Sequence, residues 1–205
     1  MPPAEFIASA KLWLGVLGTK DSKVLRRTGV NMYGRHHAIR DVLFEAGKAA
    51  QLRPHKEVGV DSTGRRPADV FFPNWSKGRP LAIDVTVTHF SQALTHTVAE
   101  IGESASERAA IAKVEAKERL YKDLCASQGV DFMAAAVCCY GGWLPQGTAL
   151  IKRLAVCLAE ASGQDRSTVT EHLWQRISVA LWRGNASMVL QYQPHCRFGK
   201  WELPH

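Results

Sequence analysis

The chain of 205 residues is long enough for one sizeable core, and 46% hydrophobic and 22% charged residues are the proportions of a globular domain. Twenty-six Lys and Arg against 19 Asp and Glu leave a charge of +7, which suits a polyanionic partner because each phosphate contact releases counterions. No apolar run reaches the roughly 18–20 residues of a bilayer span, and five cysteines without a CxxC spacing indicate neither a disulfide framework nor a zinc ribbon.

The N-terminus, Met1-Pro-Pro-Ala-Glu, has no basic region for a secretory signal. An intracellular location, nuclear or cytoplasmic, without a membrane partner, is therefore expected. Residues 1–34 hold an apolar stretch, Phe6 to Leu17, then Lys20, Lys23, Arg26 and Arg27. They read as an N-terminal arm or helix, or as the tail of something preceding it in a longer polypeptide.

From His36 to Gln51, Ala38, Ile39, Val42, Leu43 and Ala46 recur at helical spacing and predict a first helix, which Arg53-Pro54 ends. A strand is predicted from His55 to Val60, closed by the turn residues Asp61 to Gly64, and a second from Ala68 to Phe72. Pro73-Asn74 and Lys77-Gly78-Arg79-Pro80 mark the link to a third strand, Leu81 to His89. There Leu81, Ile83, Val85 and Val87 alternate with Ala82, Asp84, Thr86 and Thr88, so the aliphatic set points to the core and Asp84 to the opposite face. These three strands read as an antiparallel meander.

A long helix follows from Glu100 to Ser127, with Ala109, Ala112, Ala116, Leu120 and Leu124 as its apolar stripe and Gly129 just past its end. Phe132 to Cys139 is a continuous apolar run, as in a strand buried on both faces. Thr148 to Ala161 predicts a helix opened by Pro145. Ser167 to Trp182 predicts the last, with Ser167 or Thr168 as N-cap and Glu171 as capping-box partner. The expected architecture is α/β, a mixed central sheet flanked by helices with an extra C-terminal helix.

Asp69 on the second strand and Asp84 on the third are joined by a short turn-containing link that brings them side by side. Two carboxylates on one face are a direct way to hold a hard divalent cation such as Mg²⁺. Such an ion polarises a phosphoryl oxygen and lowers the pKa of an attacking water. An unpaired carboxylate in a β-branched run is costly unless a cation or hydrogen bonds compensate. Lys113, Lys117 and Tyr121 stand at i, i+4 and i+8, on one stripe of the long helix.

The segments Arg66-Pro67-Ala68-Asp69-Val70 and Leu81-Ala82-Ile83-Asp84-Val85-Thr86-Val87 resemble the PD-(D/E)xK restriction-endonuclease-like superfamily. The similarity is closest to the restriction-like endonuclease of site-specific non-long-terminal-repeat retrotransposons. It implies an α-β-β-β-α-β-α restriction-endonuclease-like core over 35–163, with 164–205 as a C-terminal helical extension. It also implies a retroelement-derived endonuclease that cuts DNA with Mg²⁺ or Mn²⁺ held by Asp69 and Asp84. Two departures stand out: Ala68 separates Pro67 from Asp69, and Thr86 occupies the superfamily's Lys position two residues after the second acid. In the retrotransposon branch that Lys comes from the following helix with a Tyr near it, which points to Lys117 first, Lys113 second, and Tyr121.

Related nucleases use an acid on the first helix to assist the metal, for which Glu45 is the candidate, with Glu57 of the first strand as the other. His36 and His37, beside Arg35 and Arg40, suit phosphate contact or proton transfer. Arg65, Arg66, Lys77 and Arg79 are expected to hold the DNA backbone around the site, with Trp75 stacking on a base or anchoring the loop. The tail residues Trp182, Arg183, Arg197, Lys200 and Trp201 either extend that surface or close the core. A homodimer would let one site per chain cut two strands. Two other functions fit the same residues: a catalytically inactive nucleic-acid-binding module of this fold, and a capsid-like component whose charge serves assembly.

Overall fold

A computed structural model describes residues 32–60, 64, 66–88 and 103–192. Residues 1–31 of the expected N-terminal arm, Arg65, and the tail residues Arg197, Lys200 and Trp201 lie outside them, whereas residues 32–34, expected in the arm, open the first helix. The described elements run α1 (Met32–Ala49), β1 (His55–Val58), β2 (Ala68–Ser76), β3 (Arg79–Thr88), α2 (Glu103–Ser127), β4 (Asp131–Cys138), α3 (Pro145–Ser162) and α4 (Arg166–Tyr192). One four-stranded sheet has the order β1-β2-β3-β4. Its first three strands are an antiparallel meander, and β4 joins β3 in parallel after the α2 crossover. The chain is thus α/β with a mixed sheet, as expected.

Helices cover both faces of the sheet. On one face the main core joins Ile39 and Leu43 of α1, Leu150 and Leu154 of α3, and Leu173, Ile177 and Leu181 of α4 to Val70, Phe72, Leu81, Ile83 and Val85. Each fully buried side chain of this size contributes about 1.5–3 kcal/mol. Gly47 permits the close seat of Phe72 in α1, since a Cβ there would stand 2.4 Å from its ring. On the other face α2 lies on small residues: Ala110 and Val114 pack on Ala134 and Ala136, and Cys125 packs with Ala82.

Several boundaries differ from expectation for local reasons. β2 runs through Pro73-Asn74 to Ser76, because the missing Pro73 N–H is absorbed by a register irregularity between Phe72 and Ser76, beyond the last residue that β1 pairs. The turn is only Lys77-Gly78, both at positive φ (50° and 78°), the two-residue geometry that suits strand twist. The stripe expected on α2 is not the buried one: Ala112 is exposed and Leu120 is 57% exposed, whereas Ala110, Val114 and Cys125 are buried. The N-cap of α4 is Asp165, whose Oδ2 accepts from the Thr168 N–H at 2.9 Å, not Ser167 or Thr168. Glu171 instead accepts from Gln175 one turn on. That helix continues ten residues past Trp182, and its Val169, Leu173, Ile177 and Leu181 belong to the main core rather than to an appended extension. Among the described residues, no helix is long and apolar enough to cross a membrane.

Candidate functional site

β2 and β3 pair Val70 with Ile83 and Phe71 with Ala82, so one step back along β2 and one on along β3 sets Asp69 directly opposite Asp84. Directly opposed residues have Cβ atoms about 4.5–5.5 Å apart on one sheet face. The same register from β1, His55 with Phe71 and Lys56 with Val70, brings Glu57 opposite Asp69. All three acids line a pocket of about 410 Å³ with His36, His37, Arg66, Lys113, Lys117 and Tyr121.

β3 is an inner strand with helices on both sides, so the face opposite the aliphatic one is also covered, and Asp84 is only 5% exposed. Burial is the largest influence on its carboxyl and pushes the pKa up, and Asp69 pushes it the same way. Lys117 and Thr86 pull it back in part. The Lys117 Nζ donates to Asp84 Oδ2 at 2.7 Å, and the Thr86 hydroxyl makes a longer bond of 3.3 Å to Oδ1. Burial alone would lower the Lys117 pKa, but Asp84, with smaller help from Tyr121 and Asp69, outweighs it and the net shift is upward. The ammonium also stands 5.7 Å from the centre of the Tyr121 ring.

Asp69 is held differently. Its Oδ2 accepts from the Val85 N–H at 2.6 Å and lies 2.7 Å from His36 Nε2. No described residue bonds Oδ1, which is left as a hard donor. The His36 bond makes Nε2 the donating nitrogen, and buried Nδ1 has no partner among the described residues. No third His, Cys, Asp or Glu among the described residues completes a metal-ligand cluster with these acids. Asp69 Oδ1 and the weakly bonded Asp84 Oδ1 form a two-carboxylate oxygen set that fits Mg²⁺, which keeps several waters and takes one or two carboxylates.

Other expected residues lie elsewhere. Glu45 is exposed on α1 and pairs with Lys48, outside the pocket, because its turn of the helix lies past the end that meets the acids. Of the two glutamates, Glu57 lines the pocket, and Arg40 holds it. Trp75, Lys77 and Arg79 lie at the opposite end of the β2–β3 hairpin, since Asp84 is five residues, about 16 Å, from Arg79 along an extended strand. There Trp75 packs on Phe72 with ring centres 5.1 Å apart, Arg79 pairs with Asp131, and Lys77 forms the turn. Trp182 meets Tyr140 edge-on.

Arg35 is the pocket residue given no role by the sequence reading. It is 3% exposed, lacks a carboxylate partner among the described residues, and donates from Nη1 to Asn185 Oδ1, whose amide donates to the Cys139 carbonyl. Burial lowers its pKa. Placement in an Arg35-His36-His37 run gave the only hint, since its partner Asn185 lies 150 residues away. No protein-family model matches the chain, and neither a curated protein nor a solved structure does.

Proposed function

We propose that the protein is a divalent-metal-dependent endonuclease that hydrolyses DNA phosphodiester bonds, of the PD-(D/E)xK kind found in site-specific retrotransposons. The observation carrying this reading is the 2.7 Å contact of Lys117 with Asp84, directly across from Asp69. It puts an ammonium beside the second acid although Thr86 holds the superfamily's Lys position.

Asp69 and Asp84 would hold Mg²⁺ or Mn²⁺, which supplies polarisation of a phosphoryl oxygen and a water of lowered pKa. Val85 N–H and His36 fix the Asp69 carboxylate and leave its other oxygen for the metal. Lys117, kept cationic by Asp84, orients the attacking water or neutralises charge developing on the phosphorane. Arg66, His37 and Lys113 line the same pocket and suit non-bridging phosphate oxygens.

Incubation of supercoiled plasmid with Mg²⁺ or Mn²⁺ tests the proposal: the wild type nicks it and Asp84→Ala does not. Cleavage by Asp84→Ala at the wild-type rate refutes the site. A second reading, a module that binds nucleic acid without cutting it, is favoured by the same ion pair, because an ammonium already on Asp84 satisfies that carboxylate without a metal. Salt-dependent DNA binding with no cleavage in either metal selects it.

A further inference from the structure

Arg35 is a buried cation on the inward stripe of α1, four residues before Ile39 and eight before Leu43, both wholly buried. A guanidinium carries five N–H donors. Among the described residues one acceptor meets it, the neutral Asn185 Oδ1, 3.0 Å from Nη1. Neither Nε, which is buried, nor Nη2 bonds a described residue. Cys139, itself buried, favours the charged form but offsets only part of the effect of burial, so the pKa stays below its ordinary value. Buried charges are ordinarily paired with an opposite charge, and a neutral amide does not pair this one.

Three elements fix this side chain beside the acids. Asn185 of α4 is 0% exposed and passes its amide N–H to the Cys139 carbonyl at 2.7 Å. The Cys139 N–H in turn donates to the carbonyl of Thr88, at the end of β3. Gly184 gives the Arg35 stem its room, since a Cβ there would stand 2.5 Å from Cγ. Arg35 lines the same pocket as Asp69, Asp84, Thr86 and Val87. Thr88 is four residues, about 13 Å along an extended strand, from Asp84, so Arg35 belongs to the end of the pocket nearer Thr88. With Nη1 held by Asn185, Nε and Nη2 form the remaining edge of the guanidinium, and two parallel N–H groups match two oxygens of a phosphate. We propose that this edge of Arg35 binds a DNA phosphate flanking the one cut at Asp69 and Asp84. The inference rests on the nuclease reading for which phosphate is cut, but it concerns binding and is measured without a divalent metal. Arg66 and Lys113 on the same walls favour a chain of phosphates over a single carboxylate.

Two measurements on the full chain in EDTA test this contact. The first is fluorescence anisotropy with a labelled random-sequence DNA duplex. Arg35→Gln is expected to weaken binding about eightfold at about 0.1 M salt and to lower the slope of log affinity against log salt by about 0.9, the share of one phosphate. Lys152→Gln, the same loss of charge at an exposed position of α3 outside this pocket, leaves both near their wild-type values. Arg35→Gln also removes a side chain that bridges α1 and α4, so the second measurement needs no variant. It follows the assigned Arg35 Nε–H resonance of the isotope-labelled wild type, which is expected to move downfield as the duplex saturates.

The proposal is overturned if folded Arg35→Gln binds with the affinity and slope of Lys152→Gln, if the wild type binds no DNA, or if the Nε–H resonance stays in place at saturation. A resonance that answers to inorganic phosphate and not to the duplex overturns it as well. Cleavage lost in Asp84→Ala beside an unmoved resonance sinks the Arg35 contact and keeps the nuclease. A resonance that moves in a chain that never cuts keeps the contact and sinks the nuclease.

Discussion

Lys117→Met separates a working ammonium from a solvated one. Lys117 Nζ is 2.7 Å from Asp84 Oδ2, with side-chain exposures of 35% and 8%. Removing one partner of a fully buried pair costs about 3–5 kcal/mol, whereas an exposed pair is worth about 0–1 kcal/mol. Water reaches a third of Lys117, and the stranded Asp84 can take up a proton, so the cost falls between these limits at about 2 kcal/mol. For a chain of this size that lowers the melting temperature by about 4–8 °C. With the ammonium gone, Asp69 and Asp84 face each other without a cation, and Mg²⁺ then restores more stability to the variant than it adds to the wild type. Cleavage drops about 10²–10³-fold, the usual loss when one preorganised charge is removed. Scanning fluorimetry with and without Mg²⁺, run beside plasmid nicking, reads both effects. Adding Asp84→Asn recovers most of the melting temperature and none of the cleavage. A Lys117→Met variant that melts with the wild type and nicks at its rate refutes the reasoning.

Asp69→Ala strips the acceptor from the Val85 N–H and from His36. It should cost about 1–2 kcal/mol, because its 15% exposed side chain gives water partial access to the two donors, and it should abolish the melting-temperature rise with Mg²⁺. An unchanged rise would place the metal elsewhere. Gly184→Ala forces a methyl against the backbone of Arg35, so a loss of about 1–3 kcal/mol is expected by urea unfolding, and a variant as stable as wild type would show that α1 and α4 can part freely. Asp165→Ala removes the α4 N-cap and lowers the melting temperature by about 2–4 °C at neutral pH. The bonds to Thr168 hold the folded Asp165 pKa below its unfolded value. The stabilisation is therefore present above the unfolded pKa of about 3.9 and is lost as pH falls through the folded one. The gap between variant and wild type should close in acid, and a constant gap down to about pH 2 would remove the cap from the account.

The meander and the parallel return through a helix were readable because each strand is short, bounded by turn residues, and patterned. Alternation along β3 fixed which side chains share a face, and hence that Asp69 and Asp84 meet. It misled about burial, since alternation separates two faces without saying whether the second is covered. Ala82, Ala134 and Ala136 carry that information, because a run of alanines on one face leaves room for a helix to lie close. Glu45, Trp75, Lys77 and Arg79 were placed by proximity in sequence, and a hairpin sends residues near its turn away from those near its open end.

The error on α2 and the candidate site have one cause. The inward stripe runs Ala110, Val114, Lys117, Tyr121 and Cys125, spaced four, three, four and four. Two of its five members are polar or half-polar, so a search for Ala and Leu at helical spacing slid one position around the helix and chose a face whose Leu120 is in water. A lysine on an inward stripe is destabilising unless an anion meets it, and an aspartate on an inner strand is destabilising unless a cation does. Each anomaly on its own reads as an ordinary surface charge. Joined by the register, they account for each other, and the side chain that spoils the helix's hydrophobic period is the one that reaches Asp84.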